Sequence, residues 1–152
     1  MDVEVKIIRK PIDVNNILNK LMSISNEEGS IVMYLGFVKS LVNNHRVYKL
    51  IYEAYEPYAE KILEENVKSC LDEDITHVKV FHRIGDLKPH DPVLYIFVVA
   101  KKRDKAFKVA KEILEQIKRN VPIYKLEVRD DGEYWVIGDG LRIRKGLWSS
   151  SG

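Results

Sequence analysis

Lys118 and Lys125 flank a break in the chain, Ile117-Lys118-Arg119-Asn120-Val121-Pro122-Ile123-Tyr124-Lys125-Leu126-Glu127, and amines so spaced can do chemistry. Proline cannot continue a helix and pushes the residue before it towards extended geometry, so the stretch reads as helix end, sharp turn and strand start. Two amines on either side of one reversal can point into one cleft and stabilise or shuttle charge there. The same residues also fit a cation at a helix C-terminus beside a solvated strand lysine, and the local pattern leaves both open. After the turn, Tyr124, Leu126 and Val128 alternate with Lys125, Glu127 and Arg129. The expectation is that the first set faces a core and the second stands on a more open face.

Two further clusters carry cations at places where backbone is accessible. Lys101-Lys102-Arg103 lies where an apolar strand gives way to a helix, favourable for a phosphate or carboxylate, or simply a solvated charge run. Gly36-Phe37-Val38-Lys39 is a strand end whose glycine marks a bulge or a close approach, ending on a cation. Against these, His45, His77, His82 and His90 lack metal-ligand spacing, and Cys70, the only cysteine, reads as a small core residue on a helix's apolar face. No metal and no cofactor is expected. There is no P-loop, dinucleotide glycine fingerprint or serine nucleophile motif.

The elements that must position these groups follow from periodicity. Val3 to Arg9 reads as a strand, then Asp13 caps a helix with Ile17, Leu18, Leu21 and Met22 as its stripe. Ser30 to Val38 is a strand, Lys39 to Arg46 a mobile loop with Asn43-Asn44 at its tip, and Val47 to Tyr55 the partner strand. Pro57 opens a helix to about Leu71, with Tyr58, Ile62, Leu63, Val67 and Cys70 at helical spacing. Strands follow at Ile75 to Ile84 and, after a loop from Leu87 to Pro92, at Val93 to Ala100, which is apolar enough to be buried on both faces. The longest helix carries Ala106, Phe107, Ala110, Ile113, Leu114 and Ile117, and Asp130-Asp131-Gly132 turns the last hairpin. The reading is α+β in one domain over residues 1–152, with a tail from 138 to 152 able to flex.

Composition sets the outer limits. With 152 residues the chain suffices for one domain with a core, and hydrophobic residues at 45% and charged ones at 32% suit a soluble globular protein. A formal net charge of +2 argues against a protein devoted to nucleic acid. The N-terminus has no apolar signal run, no stretch approaches the roughly 20 apolar residues of a membrane span, and a lone cysteine suits the cytoplasm.

Taken together, several blocks resemble the large, catalytic subunit of molybdopterin synthase: Gly29 to Lys39, Tyr52-Glu53-Ala54-Tyr55, His82-Arg83-Ile84-Gly85, Arg103 with Ala106-Phe107, and Lys118 to Glu127 followed by Gly132 and Trp135. They run in order and in register over roughly Val3 to Trp135. The resemblance implies an α/β hammerhead with an added antiparallel β subdomain. It also implies conversion of cyclic pyranopterin monophosphate into molybdopterin by insertion of two sulfurs as a dithiolene. Sulfur would come from the C-terminal Gly-Gly thiocarboxylate of a small ubiquitin-like partner, with two catalytic subunits paired centrally in a heterotetramer. By position, the resemblance makes Lys125 and Lys118 catalytic, and Phe37, Val38, Lys39, Lys102, Arg103, Leu126 and Glu127 substrate-binding. Two departures stand out. Lys39 replaces the family's usual arginine, losing bidentate geometry but not charge, and Lys102 stands where histidine is usual. The rival readings are an RNA-binding module of ferredoxin-like β-α-β-β-α-β topology and a non-catalytic adaptor for ubiquitin-like tails.

Overall fold

A computed structural model describes residues 1–138 and 140–146. Trp148 and the closing serines of the expected tail lie outside these residues. The strands are β1 (Asp2–Ile8), β2 (Ile31–Phe37), β3 (Leu41–Val42), β4 (His45–Ala54), β5 (Ile75–Arg83), β6 (Gly85–Leu87), β7 (Pro92–Ala100), β8 (Ile123–Arg129), β9 (Gly132–Ile137) and β10 (Leu141–Arg144). The helices are α1 (Val14–Ile24), α2 (Glu56–Ser69) and α3 (Arg103–Asn120). None of them is long and apolar enough to cross a membrane.

The first sheet has the order β1-β5-β7-β2, with only the β1–β5 pair parallel. Its centre is β7, whose run from Val93 to Ala100 is buried throughout, as a wholly apolar strand demands. Leu94, Ile96, Val98 and Ala100 face Leu63, Val67 and Ile113 from α2 and α3. Tyr95, Phe97 and Val99 face Leu21 of α1 on the other side. The second sheet, β10-β9-β8-β4-β3 with β6 added beside β4, is antiparallel and forms the β subdomain of an α+β fold. Because β3 and β4 leave the first sheet for the second, the first four strands do not share a ferredoxin-like sheet. A third apolar cluster, including Val38, Leu50, Tyr52, Leu87 and Val93, seals the seam between the sheets.

Local chemistry places the ends. The Asn16 N–H donates to the Asp13 carboxylate at 3.1 Å, capping α1, and Pro57 sits in the first turn of α2. Val121 is extended (φ −90°, ψ 126°), as the residue before Pro122 must be, and stops α3.

Several expectations are corrected. Residues 39–46 are not a loose loop: Leu41 pairs with Arg46 and Val42 with His45 around Asn43 and Asn44, both at positive φ (51° and 66°), the turn geometry that asparagine tolerates. The segment after Gly85 is not wholly loop, since Leu87 pairs with Leu50. Cys70 is the C-cap of α2, half-buried at the end of its stripe and packed against the core. Phe107 is 64% exposed and Tyr58 also points outward; the stripes run instead through Ala106, Val109, Ala110, Ile113 and Ile117, and through Ala59, Leu63 and Val67. Those positions recur at three- and four-residue steps along one face, and each misplaced aromatic sits one residue off it.

Candidate active site

The β8 strand departs most from the alternation expected of it. Tyr124 is 62% exposed, while Glu127 and Arg129, on the face expected to be open, are buried. Their burial is tolerable because the charges are matched on the spot. Arg142 of β10 grips both carboxylate oxygens of Glu127, at 2.9 Å and 3.2 Å, and Arg129 holds Asp131 through two bonds of 2.8 Å. The polar face of β8 is thus a covered surface with its own electrostatics.

Directly opposed residues on antiparallel strands share a face. Tyr52 on β4 opposes Lys125 on β8, Lys125 opposes Val136 on β9, and Val136 opposes Arg142 on β10. This row of side chains forms one wall of a cavity of about 270 Å³. The facing wall comes from the first sheet, where His82 opposes Leu94 and Leu94 opposes Gly36. The C-terminal end of α3 closes the third side with Ile117 and Lys118. Ladder register in two sheets and a proline-stopped helix therefore converge on one hollow.

Its electrostatics are those of an anion site with one amine under stress. Burial pushes the Lys125 ammonium below its ordinary pKa, and Lys118, Arg142 and Lys39 push the same way; only Glu127 opposes them. The Lys125 Nζ stands 6.0 Å from the centre of the Tyr52 ring. Burial drives the Tyr52 phenol well above the usual tyrosine range, with Tyr34 and Glu127 adding to it, so it stays protonated. His82 is pushed down to about 4 by desolvation, which outweighs the hydrogen bond to the Arg83 carbonyl; Lys125 adds a smaller push in the same downward direction. Tyr34 reaches the cavity across Gly36, where a Cβ would meet its hydroxyl at 3.1 Å. The strand bulges between Gly36 and Phe37, as the glycine signalled.

Of the residues singled out from the sequence, Lys118, Lys125, Lys39, Phe37 and Glu127 line the cavity. Val38 and Leu126 do not: both are buried behind its wall, and the Val38 N–H and C=O are already bonded to Asp91 and His90. Lys102 and Arg103 lie at the other end of α3, about 22 Å along the helix axis from Lys118 at 1.5 Å per residue. A single chain therefore does not bring them to the cavity. Tyr34, Tyr52, His82 and Arg142 are the lining residues that sequence reasoning did not assign to the site. For Arg142 a signal existed: the glycines at 138 and 140 turn a hairpin that sets it opposite Val136.

Away from the cavity, His45 lies between Asp130 (2.9 Å) and Asp131 (3.4 Å), the one cluster of metal-ligand type among the described residues. Its acceptors are in use: Asp130 takes the Arg46 N–H, and Asp131 takes Arg129 and the Tyr134 hydroxyl. It works as a clamp between the two hairpins.

Comparison with known proteins gives a consistent answer. The family model described as MoaE protein matches residues 7–120. The molybdopterin synthase catalytic subunit of Pyrococcus abyssi is 36% identical over 137 residues, covering 90% of this chain and 93% of its own length. The crystal structure of molybdopterin synthase from Staphylococcus aureus superposes with a TM-score of 0.77 at 29% identity, over 86% of this chain and 95% of that one. A chain from the complex of subunits 1 and 2 of molybdopterin-converting factor from Helicobacter pylori shares the fold, with a TM-score of 0.68 at 20% identity over 93% and 90%.

Proposed function

The chain belongs to the MoaE family, and on that footing we propose that it is the catalytic subunit of a cytoplasmic molybdopterin synthase. It converts cyclic pyranopterin monophosphate to molybdopterin by accepting two sulfurs from the C-terminal thiocarboxylate of a small ubiquitin-like partner. A thiocarboxylate that gives up its sulfur and ends as a carboxylate consumes one water, so two partner tails are used per dithiolene. The observation that carries the reading is the convergence of Lys125, Lys118, Lys39 and Arg142 on one partly enclosed cavity between the sheets. A phosphorylated substrate and an anionic tail both need such a cluster. The solved complex of subunits 1 and 2 from Helicobacter pylori is a precedent for a small partner docking on this fold.

Within the cavity the roles follow from the electrostatics. Lys125, destabilised as a cation by burial and by three neighbouring cations, gives up and regains a proton more readily than an ordinary lysine, and acts as general acid/base. Lys118, at the end of α3, stabilises charge on the thiocarboxylate or on the intermediate. Lys39 and Arg142 hold the anionic groups of the substrate, and Tyr52 keeps Lys125 in place under its ring. Lys102 and Arg103, too far away in their own chain, serve the cavity of a second copy in a paired arrangement. Phe37 contributes apolar wall beside the pterin, while Val38 and Leu126 support the strands that carry Lys39 and Lys125.

The experiment is turnover with a thiocarboxylated partner, run on Lys125→Ala, on Arg103→Ala and on an equal mixture of both after subunit exchange. Each variant alone is expected to be nearly inactive. In a mixed pair one cavity regains both residues, so the mixture recovers about a quarter of wild-type activity. No recovery would overturn the sharing of Arg103. No turnover by the unaltered chain with its partner bound would overturn the enzyme reading in favour of an adaptor.

A further inference from the structure

The charged groups of the cavity are nearly all donors, and the Tyr34 and Tyr52 hydroxyls can donate as well as accept. Lys39, Lys118, Lys125 and Arg142 offer only N–H groups, and both oxygens of Glu127 are engaged by Arg142. His82 is different. Its ring is almost wholly buried, meets the Tyr52 ring edge-on at 5.5 Å, and reaches the cavity wall opposite Lys125. Its Nδ1 lies 2.8 Å from the Arg83 carbonyl oxygen, and a carbonyl can only accept, so Nδ1 carries the proton. In the neutral ring this leaves Nε2 with a lone pair and no proton. The desolvation that holds the imidazole neutral, with its pKa at about 4, keeps that lone pair in place at any physiological pH.

From this geometry we infer that His82 Nε2 is the acceptor that orients the substrate, taking a hydrogen bond from a ring N–H of the pterin while the cations opposite hold its phosphate. The inference rests on the reading of the cavity as a pterin phosphate site and adds a residue to it. It gives the site a polarity: donors on the α3 and β8 side bind the anionic end, and on the β5 side a neutral nitrogen that can only accept reads the heterocycle. A protonated histidine could not do this, and it would add a fifth positive charge to a cavity already crowded with them. Tyr52 contributes indirectly, because its ring packs against both His82 and the Lys125 amine and so fixes the spacing between acceptor and acid/base.

Two substitutions separate this contact from a packing role. His82→Asn keeps an N–H near the Nδ1 position, able to bond the Arg83 carbonyl, but has nothing at Nε2. His82→Gln places an amide near Nε2. The account expects KM for cyclic pyranopterin monophosphate to rise about tenfold in His82→Asn, the worth of one neutral hydrogen bond, with kcat nearly unchanged and substantial recovery in His82→Gln. A second arm needs no mutation: substrate analogues methylated at each ring N–H in turn are measured for binding to the wild-type chain. One of them should bind about tenfold more weakly than the parent to wild type, and lose nothing further on His82→Asn. If wild type turns over and His82→Asn matches it in KM, or if every analogue binds wild type as the parent does, the inference falls and the functional reading stands. If wild type with its partner neither binds nor converts the pterin, the functional reading itself falls.

Discussion

Removing Arg142 exposes how the cavity is held together. Its guanidinium makes two bonds to Glu127, whose side chain is 3% exposed, while Arg142 itself is 23% exposed. Breaking a fully buried ion pair by deleting one partner costs about 3–5 kcal/mol, because the other charge is stranded. Here Arg129 still faces Glu127 at 3.5 Å, and the vacated space opens towards solvent, so the cost of Arg142→Ala falls to about 2 kcal/mol. For a chain of 152 residues that lowers Tm by about 4–8 °C. Glu127→Gln strands less, since Arg142 can turn to water, and costs about 1 kcal/mol. The double variant Glu127→Gln/Arg142→Ala buries no stranded charge, so its cost should fall short of the sum by about 1 kcal/mol or more. The assay is urea unfolding of all four proteins with a common m value. Strict additivity, or a cost for Arg142→Ala below about 0.5 kcal/mol, would refute the claim that this pair is buried and coupled. The same substitution has an electrostatic arm. It removes a cation that depresses Lys125 and frees Glu127 to act on it more strongly, so the Lys125 pKa must rise. An NMR titration of the labelled lysine reads that shift, and an unchanged or lower pKa would contradict the arrangement.

Other consequences follow from single contacts. Lys118→Met removes the largest cationic push on Lys125, so the limb of the pH–rate profile that belongs to Lys125 should move to higher pH, with no move if the two amines do not interact. Gly36→Ala drives a methyl to within 3.1 Å of the Tyr34 hydroxyl; since that ring edges the cavity and can yield, it should cost about 1 kcal/mol and raise KM, and a variant with wild-type Tm and KM would show that Tyr34 lies elsewhere. The Asp130 and Asp131 carboxyls are held below their ordinary range, Asp130 chiefly by the Arg46 N–H and Asp131 chiefly by Arg129. Groups with depressed folded pKa values contribute stability that is full above the unfolded value near 3.9 and is lost as pH falls through the lower folded value. Acid unfolding of Asp131→Asn should therefore be less steep below pH 4 than that of wild type, and identical curves would remove Asp131 from the account.

Much of this was legible one residue at a time. Pro122 with Val121 stops a helix by sterics, Asp13 caps one, and the apolar run of β7 admits no exposed face, so these elements could be placed without tertiary information. The same break sets Lys118 and Lys125 either side of one reversal, but leaves open whether their amines share a cleft or face solvent, which tertiary geometry decides. Lys39 was visible as a cation at a bulged strand end. What could not be read was whichever property depends on a partner strand. The polar face of β8 looks solvent-facing until Arg142 and Arg129 are known to meet Glu127, and that requires the register of β9 and β10. Tyr52 and His82 looked like ordinary strand residues because their contact spans two sheets. The Asn43-Asn44 tip suggests a mobile loop, although asparagine at positive φ makes a tight hairpin. Lys102 and Arg103 illustrate a different limit: the length of α3 separates them from Lys118, so their distance from the cavity depends on helix geometry that local charge patterns do not reveal.

The central claim is that Lys125 performs proton transfer while the partner's sulfur passes to the pterin. The most direct measurement is dithiolene formation from cyclic pyranopterin monophosphate and thiocarboxylated partner, comparing wild type with Lys125→Ala and monitoring partner binding in parallel. The account predicts product from wild type and a loss of at least about a hundredfold in the variant, in line with the contribution of a general acid/base, with partner affinity retained. Product formed at an undiminished rate by Lys125→Ala, with its cavity otherwise intact, would contradict it.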